Sequence, residues 1–186
     1  MTAHANQFSA ARTVFGPGRT RGESLLSAAG TTLAIAVLAV YIDQAGGWAS
    51  WSALQIVVVA AIVFDLIFGI FTISAPTAKR WYHRPGVGAR RFRYAFVAGH
   101  LLYLSAVAAL FPPGWTWAAV NAGLLLGTAG LVEASPIGSK RLIAIALALA
   151  ASLANLIWLP LPAALAWLPV LLFVKILVCF LLPESG

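Results

Sequence analysis

The sequence predicts an all-α, polytopic integral membrane protein with about six transmembrane helices in three antiparallel hairpins and both termini cytoplasmic. Three observations carry that expectation. Of 186 residues, 61% are hydrophobic and 9% charged, against about 25% charged in a soluble domain, and so small a chain has too little interior to hide this much apolar surface from water. The apolar residues fall into six stretches, each near the ~20 residues a helix needs to cross a bilayer. The basic residues gather at alternate breaks between those stretches, which is the charge asymmetry of a polytopic protein. The same composition excludes a disordered chain, and a single cysteine, Cys179, excludes an internal disulfide framework.

Residues 1–23 form a polar segment, expected in the cytoplasm, in which Gly16, Pro17 and Gly18 break any helix. It lacks the short apolar core and cleavage site of a signal peptide. The apolar stretches run over 24–42, 51–75, 94–111, 115–133, 142–159 and 163–182, so that 24–182 is one transmembrane domain with a short tail, 183–186. Gln44-Ala45-Gly46-Gly47, Pro112-Pro113-Gly114 and Pro160-Leu161-Pro162 are short, uncharged breaks. Each suits a tight hairpin, since proline has no amide hydrogen and stops a helix. The other breaks are basic. Arg12, Arg19 and Arg21 precede the first stretch, Lys79, Arg80, Arg84, Arg90, Arg91 and Arg93 fill the loop 76–93, and Lys140 and Arg141 separate the fourth and fifth stretches. Only Lys175, inside the sixth stretch, departs from this pattern. The positive-inside rule makes the basic side cytoplasmic. Trp48, Trp51, Trp115, Trp117, Trp158 and Trp167 lie near the opposite ends, as an interfacial aromatic belt does. Segments 74–80 and 135–141 both run from small residues and proline into base, but nothing else in the two hairpins aligns and no repeat is inferred.

The net charge of +7 follows from that topology rather than from nucleic-acid binding. Lys79, Arg80, Arg84, Arg90, Arg91 and Arg93, interleaved with Trp81, Tyr82 and Phe92, suit anionic lipid headgroups, which attract each such base by about 1 kcal/mol near the surface. Gly86-Val87-Gly88 is too short for a nucleotide-phosphate motif.

Ionisable groups inside a bilayer are expensive and mark candidate sites. Asp65 lies about ten residues from the basic end of the second stretch, with the small or polar Ala61, Gly69 and Thr72 as helical neighbours. That pattern turns its face inward. His100 lies roughly two turns into the third stretch, with Tyr103 one turn further on the same face, and an Asp65–His100 hydrogen bond is within reach. Glu133 closes the fourth stretch where headgroups begin. Lys175, about two turns inside the sixth, is expected to snorkel, its ammonium among headgroups, with an ion pair to Asp65 or Glu133 as the alternative. Asn121, Asn155, Thr128 and Ser152 are expected as interhelical glue, and Gly123, Gly127 and Gly130 as a ridge for close helix approach. Asp65, His100, Tyr103, Glu133 and Lys175 thus form the candidate substrate- or ion-binding set, with Asp65 and His100 as acid and base if the protein is an enzyme. No metal or other cofactor is expected, because one intramembrane histidine, one aspartate and a distant cysteine fall short of a ligand set.

Nucleophile-elbow, metalloprotease and paired-aspartate motifs do not occur. The sequence therefore favours a transport component or a membrane subunit of a larger complex, in the cell or inner membrane, working as a homo-oligomer or with a partner membrane protein. A membrane enzyme performing acid–base chemistry on a lipophilic substrate and a lipid-bound scaffold are the alternatives.

Overall fold

The computed structural model describes residues 19–112 and 114–184. The first eighteen residues of the polar segment 1–23, Arg12 among them, lie outside the described residues, as do Pro113 of the middle hairpin break and the last two residues of the tail 183–186. The described chain is all-helical, with no strand, and six of its helices are long and apolar enough to cross a membrane.

Helix α1, Arg21–Gln44, starts at a capping box in which Thr20 accepts from the Glu23 backbone while the Glu23 carboxylate accepts from the Thr20 backbone, so that two otherwise orphaned amides are satisfied. The short α2, Gly47–Ser50, follows a left-handed turn at Gly46, whose φ of 73° favours glycine. Helix α3, Ala53–Ile73, opens on a second capping box, Ser52 with Gln55. Helix α4, Pro76–Tyr82, begins with Pro76 in its first turn, where a missing amide hydrogen is harmless. The third long helix, Val87–Leu110, consists of α5, Val87–Gly99, and α6, Leu101–Leu110, meeting at His100. Then come α7, Gly114–Ala134, and α8, Ile137–Trp158. The sixth long helix, Ala163–Phe180, is composite: a 3₁₀ turn at Ala163–Leu165, α9 at Trp167–Phe173 and a π-helical segment at Val174–Phe180.

The loop 76–93 is thus mostly helical, and the third long helix starts at Val87, well before the apolar stretch that begins at 94. Hydropathy reads where a helix becomes oily, not where it begins. Arg90, Arg91 and Arg93 are charged, but arginine is a good helix former, and these residues extend the helix beyond its apolar part.

The sixth helix is the hub. Its apolar window is 61% buried, against 17% for that of α1, and it packs on α3, α7 and α8. Helix α1 packs on α3, and α6 on α7. Outside, the bundle is lined by exposed apolar side chains such as Leu25, Leu33, Leu102, Leu131, Leu149 and Ile157, an arrangement suited to a hydrocarbon solvent. The tryptophan end is tied down by directed bonds. The Tyr41 hydroxyl donates to Ala163 O at 2.7 Å, Trp48 Nε1 to Ala39 O at 2.9 Å, and Gln55 Nε2 to Leu110 O at 2.6 Å. Trp51 meets Trp48 and Phe111 edge to face.

The ridge of Gly123, Gly127 and Gly130 does not serve close packing within the chain, because a Cβ added at any of them meets nothing within 4 Å. Among the described residues, the glycines that do permit close approach are Gly30, which faces the Phe71 ring, Gly47, which meets Ile42, Trp51 and Ala164, and Gly69, which faces the Lys175 side chain.

Candidate functional site

The site is assembled from three helices, two of which are irregular where they contribute to it. At His100 the backbone tightens: His100 N bonds Val97 O and Tyr103 N bonds His100 O, each at 3.1 Å and three residues apart. The sixth helix does the opposite. From Val174 to Phe180 it widens into π-helical turns, closed by Leu181 N on Ile176 O at 3.0 Å. π-Helical turns recur at functional sites, and this one carries Lys175.

Lys175 does not snorkel. Its side chain is 1% exposed and its ammonium donates to the Asp65 carboxylate (Oδ2) and, at 3.1 Å, to the Asp65 carbonyl oxygen. The lysine stem crosses α3 at Gly69, where any side chain would collide with Cε and Nζ. The reason for the inward turn is electrostatic. A buried ammonium needs a counter-charge, and Asp65 supplies one within hydrogen-bond reach. Of the two expected partners for Lys175, the structure selects Asp65 rather than Glu133.

His100 joins the same carboxylate. Its Nε2 lies 3.8 Å from Asp65 Oδ2, too far for a direct hydrogen bond, so the expected Asp65–His100 bond is a close approach instead. Its Nδ1 lies 2.8 Å from Phe96 O. A carbonyl only accepts, so Nδ1 carries the proton in that bond, and in the neutral ring Nε2 is left as an acceptor. That Nε2 is buried and without a hydrogen-bond partner. Tyr103 packs edge to face on the His100 ring at 5.3 Å and its phenol approaches the Asp65 carboxylate closely enough to act on it. Phe96 completes the enclosure, with Lys175 Nζ 5.6 Å from its ring centre and the His100 ring at 4.8 Å.

The enclosure is one-sided. The Asp65 side chain is 43% exposed while those of Lys175 and His100 are 1% and 6% exposed, so the carboxylate is shared between a sealed cationic interior and the outside of the bundle. On α3, Gly69 and Thr72 are buried, whereas Ala61 is exposed. Val59, Ile62 and Val63 are buried as well, so the inward face continues before Asp65 and leaves only Ala61 of its named neighbours outside it.

Glu133 belongs to a second cluster. It takes both Arg93 Nε, at 2.5 Å, and Arg93 Nη2, at 3.2 Å, and its side chain is 6% exposed, so it faces Arg93 rather than headgroups. Arg93 Nη1 also donates to Tyr82 O at 3.0 Å, and Lys140 Nζ to Glu133 O at 3.2 Å. His83 Nε2 lies 2.9 Å from Phe180 O, which caps the sixth helix against the loop. Burial depresses the His83 pKa from its ordinary value, with the Arg93 and Lys140 charges adding to that effect against the Phe180 hydrogen bond and Glu133. Burial likewise pushes the Tyr82 phenol up to about 12. Of the other basic residues, Arg80, Arg84, Arg90 and Arg91 are exposed and Lys79 is half-buried. Arg84 lies over the Trp81 ring at 3.9 Å, and Arg90 donates to the Tyr94 hydroxyl.

Two participants were not legible as site residues in the sequence. Phe96 is one turn before His100, and that i, i+4 spacing was its only signal. Arg93 read as one base among six, with nothing local to tie it to Glu133, forty residues away. A search of protein-family models, curated proteins and solved structures finds no match to this chain, and the functional reading rests on its residues.

Proposed function

We propose that this chain is a multi-pass membrane transport component in which the Asp65–Lys175–His100 centre exchanges protons. One observation supports the reading above the others. Three titratable groups from three helices meet at one half-exposed carboxylate, and His100 Nε2 stands beside it without a hydrogen-bond partner. With Asp65 charged, Lys175 charged and His100 neutral, the centre has no net charge, and it changes that charge by one when His100 gains a proton or Lys175 loses one. A site of this kind answers to pH inside a medium where charge is otherwise expensive.

The basic end is cytoplasmic, which puts both termini inside and the protein in the cell membrane. That reading draws on the eleven Lys and Arg gathered there and on the tryptophans at the opposite end. The exposed Arg80, Arg84, Arg90 and Arg91 meet anionic headgroups. Six helices with an exposed glycine ridge on α7 suit a homo-oligomer or a partner membrane protein. The acid–base alternative, an enzyme using Asp65 and His100 on a lipophilic substrate, draws on the same open carboxylate.

The test is a pH jump applied to proteoliposomes on a solid-supported membrane. A proton moving from water to a mid-membrane centre crosses part of the field, so the wild type gives a transient current, which Asp65→Asn and His100→Gln abolish. A wild-type trace equal to that of protein-free vesicles overturns the proposal.

A further inference from the structure

The geometry points to a ligand for this centre: we propose that Asp65 binds a lipophilic organic cation, which displaces the Lys175 ammonium and drives off one proton. The inference rests on the proton-exchange reading above and names its substrate class.

The Lys175 side chain shows what the site recognises. A substituted ammonium is held there by a carboxylate oxygen, by the Asp65 carbonyl at 3.1 Å and by the face of Phe96 with the ring centre at 5.6 Å. These are the elements of cation recognition at an aromatic surface. The lysine acts as a tethered occupant of a site for its own headgroup. A hard metal ion fits poorly by comparison, because it takes about six oxygen ligands and Asp65 offers three.

Access decides the rest of the substrate's character. The Asp65 side chain is 43% exposed while Lys175 is sealed, and Asp65 lies within a helix long and apolar enough to cross a membrane. Phe64 and Phe68 flank Asp65 in sequence, stack on each other with centroids 5.1 Å apart, and Phe64 stands exposed. A ligand arriving there carries apolar bulk and a single positive charge.

Charge balance supplies the proton. The Asp65–Lys175 pair is neutral, and adding a monocation leaves a buried positive charge unless one is lost. A Lys175 N–H bond breaks, its electron pair stays on Nζ, and the proton passes to the unpartnered His100 Nε2 and on to water. The other titratable groups that bear on Lys175 are Asp65 from α3, Tyr103 beside that carboxylate, and Cys179 on its own helix. The remaining helices packed on this segment, α7 and α8, carry Glu133, Lys140 and Arg141, of which the first two are engaged with Arg93 and with each other.

The test uses the full chain in a mild nonionic detergent with radiolabelled tetraphenylphosphonium as probe. Equilibrium dialysis reads binding, and an indicator dye in weak buffer reads proton release. Saturable binding of one cation per chain is expected, with release of one proton and an affinity that falls about tenfold for each pH unit lowered. Asp65→Asn removes binding. Lys175→Met still binds the probe, but it releases a proton only in the lower pH range where the unpaired Asp65 holds one, and above that range its binding no longer depends on pH; this arm stands even if the Asp65 variant does not fold. Wild-type binding with no proton release, or uptake by Asp65→Asn equal to that of the wild type, overturns the proposal. Absent cation binding alongside an Asp65-dependent pH-jump current overturns the substrate class alone; proton-coupled binding without that current overturns transport alone.

Discussion

The bundle holds two buried polar pairs of opposite character. Toward the tryptophan end, Asn155 Nδ2 donates to Asn121 Oδ1 at 2.8 Å, and each amide also donates to a carbonyl one turn back on its own helix, Trp117 O and Ala151 O. Both residues are sealed, at 0% and 1% exposed, and neither titrates. Toward the basic end, Lys175 is equally sealed, but its partner Asp65 is half open and a third titratable group stands beside it. The asparagines join two helices whatever the pH. The charged pair joins two helices only while both charges last, and one of its members is reachable from outside. Equal burial therefore gives a fixed fastener in one place and a switchable one in the other.

The strongest way to break the comparison is to strand one partner of each pair. Removing a single member of a buried ion pair costs about 3–5 kcal/mol, and the loss is asymmetric here. Asp65→Ala leaves a sealed ammonium with no counter-charge, whereas Lys175→Met leaves a carboxylate that is half exposed and free to take a proton. Thermal unfolding in detergent is expected to rank Asp65→Ala as the more damaging, and Asp65→Ala with Lys175→Met as less damaging than Asp65→Ala alone. Additive effects in that double-mutant cycle would show that the two side chains do not interact.

A smaller effect is expected from Gly69→Ala. The added methyl falls on the Lys175 stem, and overpacking of this kind costs about 1–3 kcal/mol. The lysine is pushed off Asp65, so the pH-jump current changes along with stability. Gly138→Ala, which meets open space away from the α7 ridge, is the matched control and leaves the current unchanged. Equal behaviour of the two variants would remove Gly69 from the site.

Smaller again is the asparagine pair. Interhelical hydrogen bonds in membrane proteins couple by about 0.6 kcal/mol on average, so Asn121→Leu lowers stability slightly and by the same amount at every pH between 5 and 9. A pH-dependent loss would contradict the contrast between the two pairs.

These differences mark how far the sequence could be read. Six long helices, their breaks and the depth of Asp65, His100 and Lys175 follow from hydropathy and spacing, which are local. Which face each helix turns inward is set by packing and was legible only in part: Gly69 and Thr72 point inward with Asp65, but Ala61 does not. Lys175 was misjudged because snorkelling is the default for an unpaired lysine near an interface, and pairing depends on a helix 110 residues earlier in the chain. The π-helical widening that presents it has no periodicity signal of its own. Glu133 was misjudged for the same reason, since its partner Arg93 comes from a helix that begins earlier than its apolar part.

The smallest expected effect sharpens the comparison at the basic end, outside the spans. His83 Nε2 donates one hydrogen bond to Phe180 O, within reach of the Arg93 and Lys140 charges. Burial and those charges depress its pKa below the ordinary 6.5, so the folded protein holds the proton less tightly than the unfolded chain. The unfolded state therefore binds more protons as the pH falls from about 6.5, and stability falls with it. Above that pH the contribution is fully present. Unfolding temperatures measured from pH 8 to pH 5 should decline below about 6.5, and His83→Gln, which keeps a donor near Phe180 O but cannot titrate, should flatten that part of the curve while leaving the pH-jump current of the Asp65 centre in place. An unchanged slope in His83→Gln would move the acid sensitivity to the centre itself, and His100→Gln would then be the variant that flattens it.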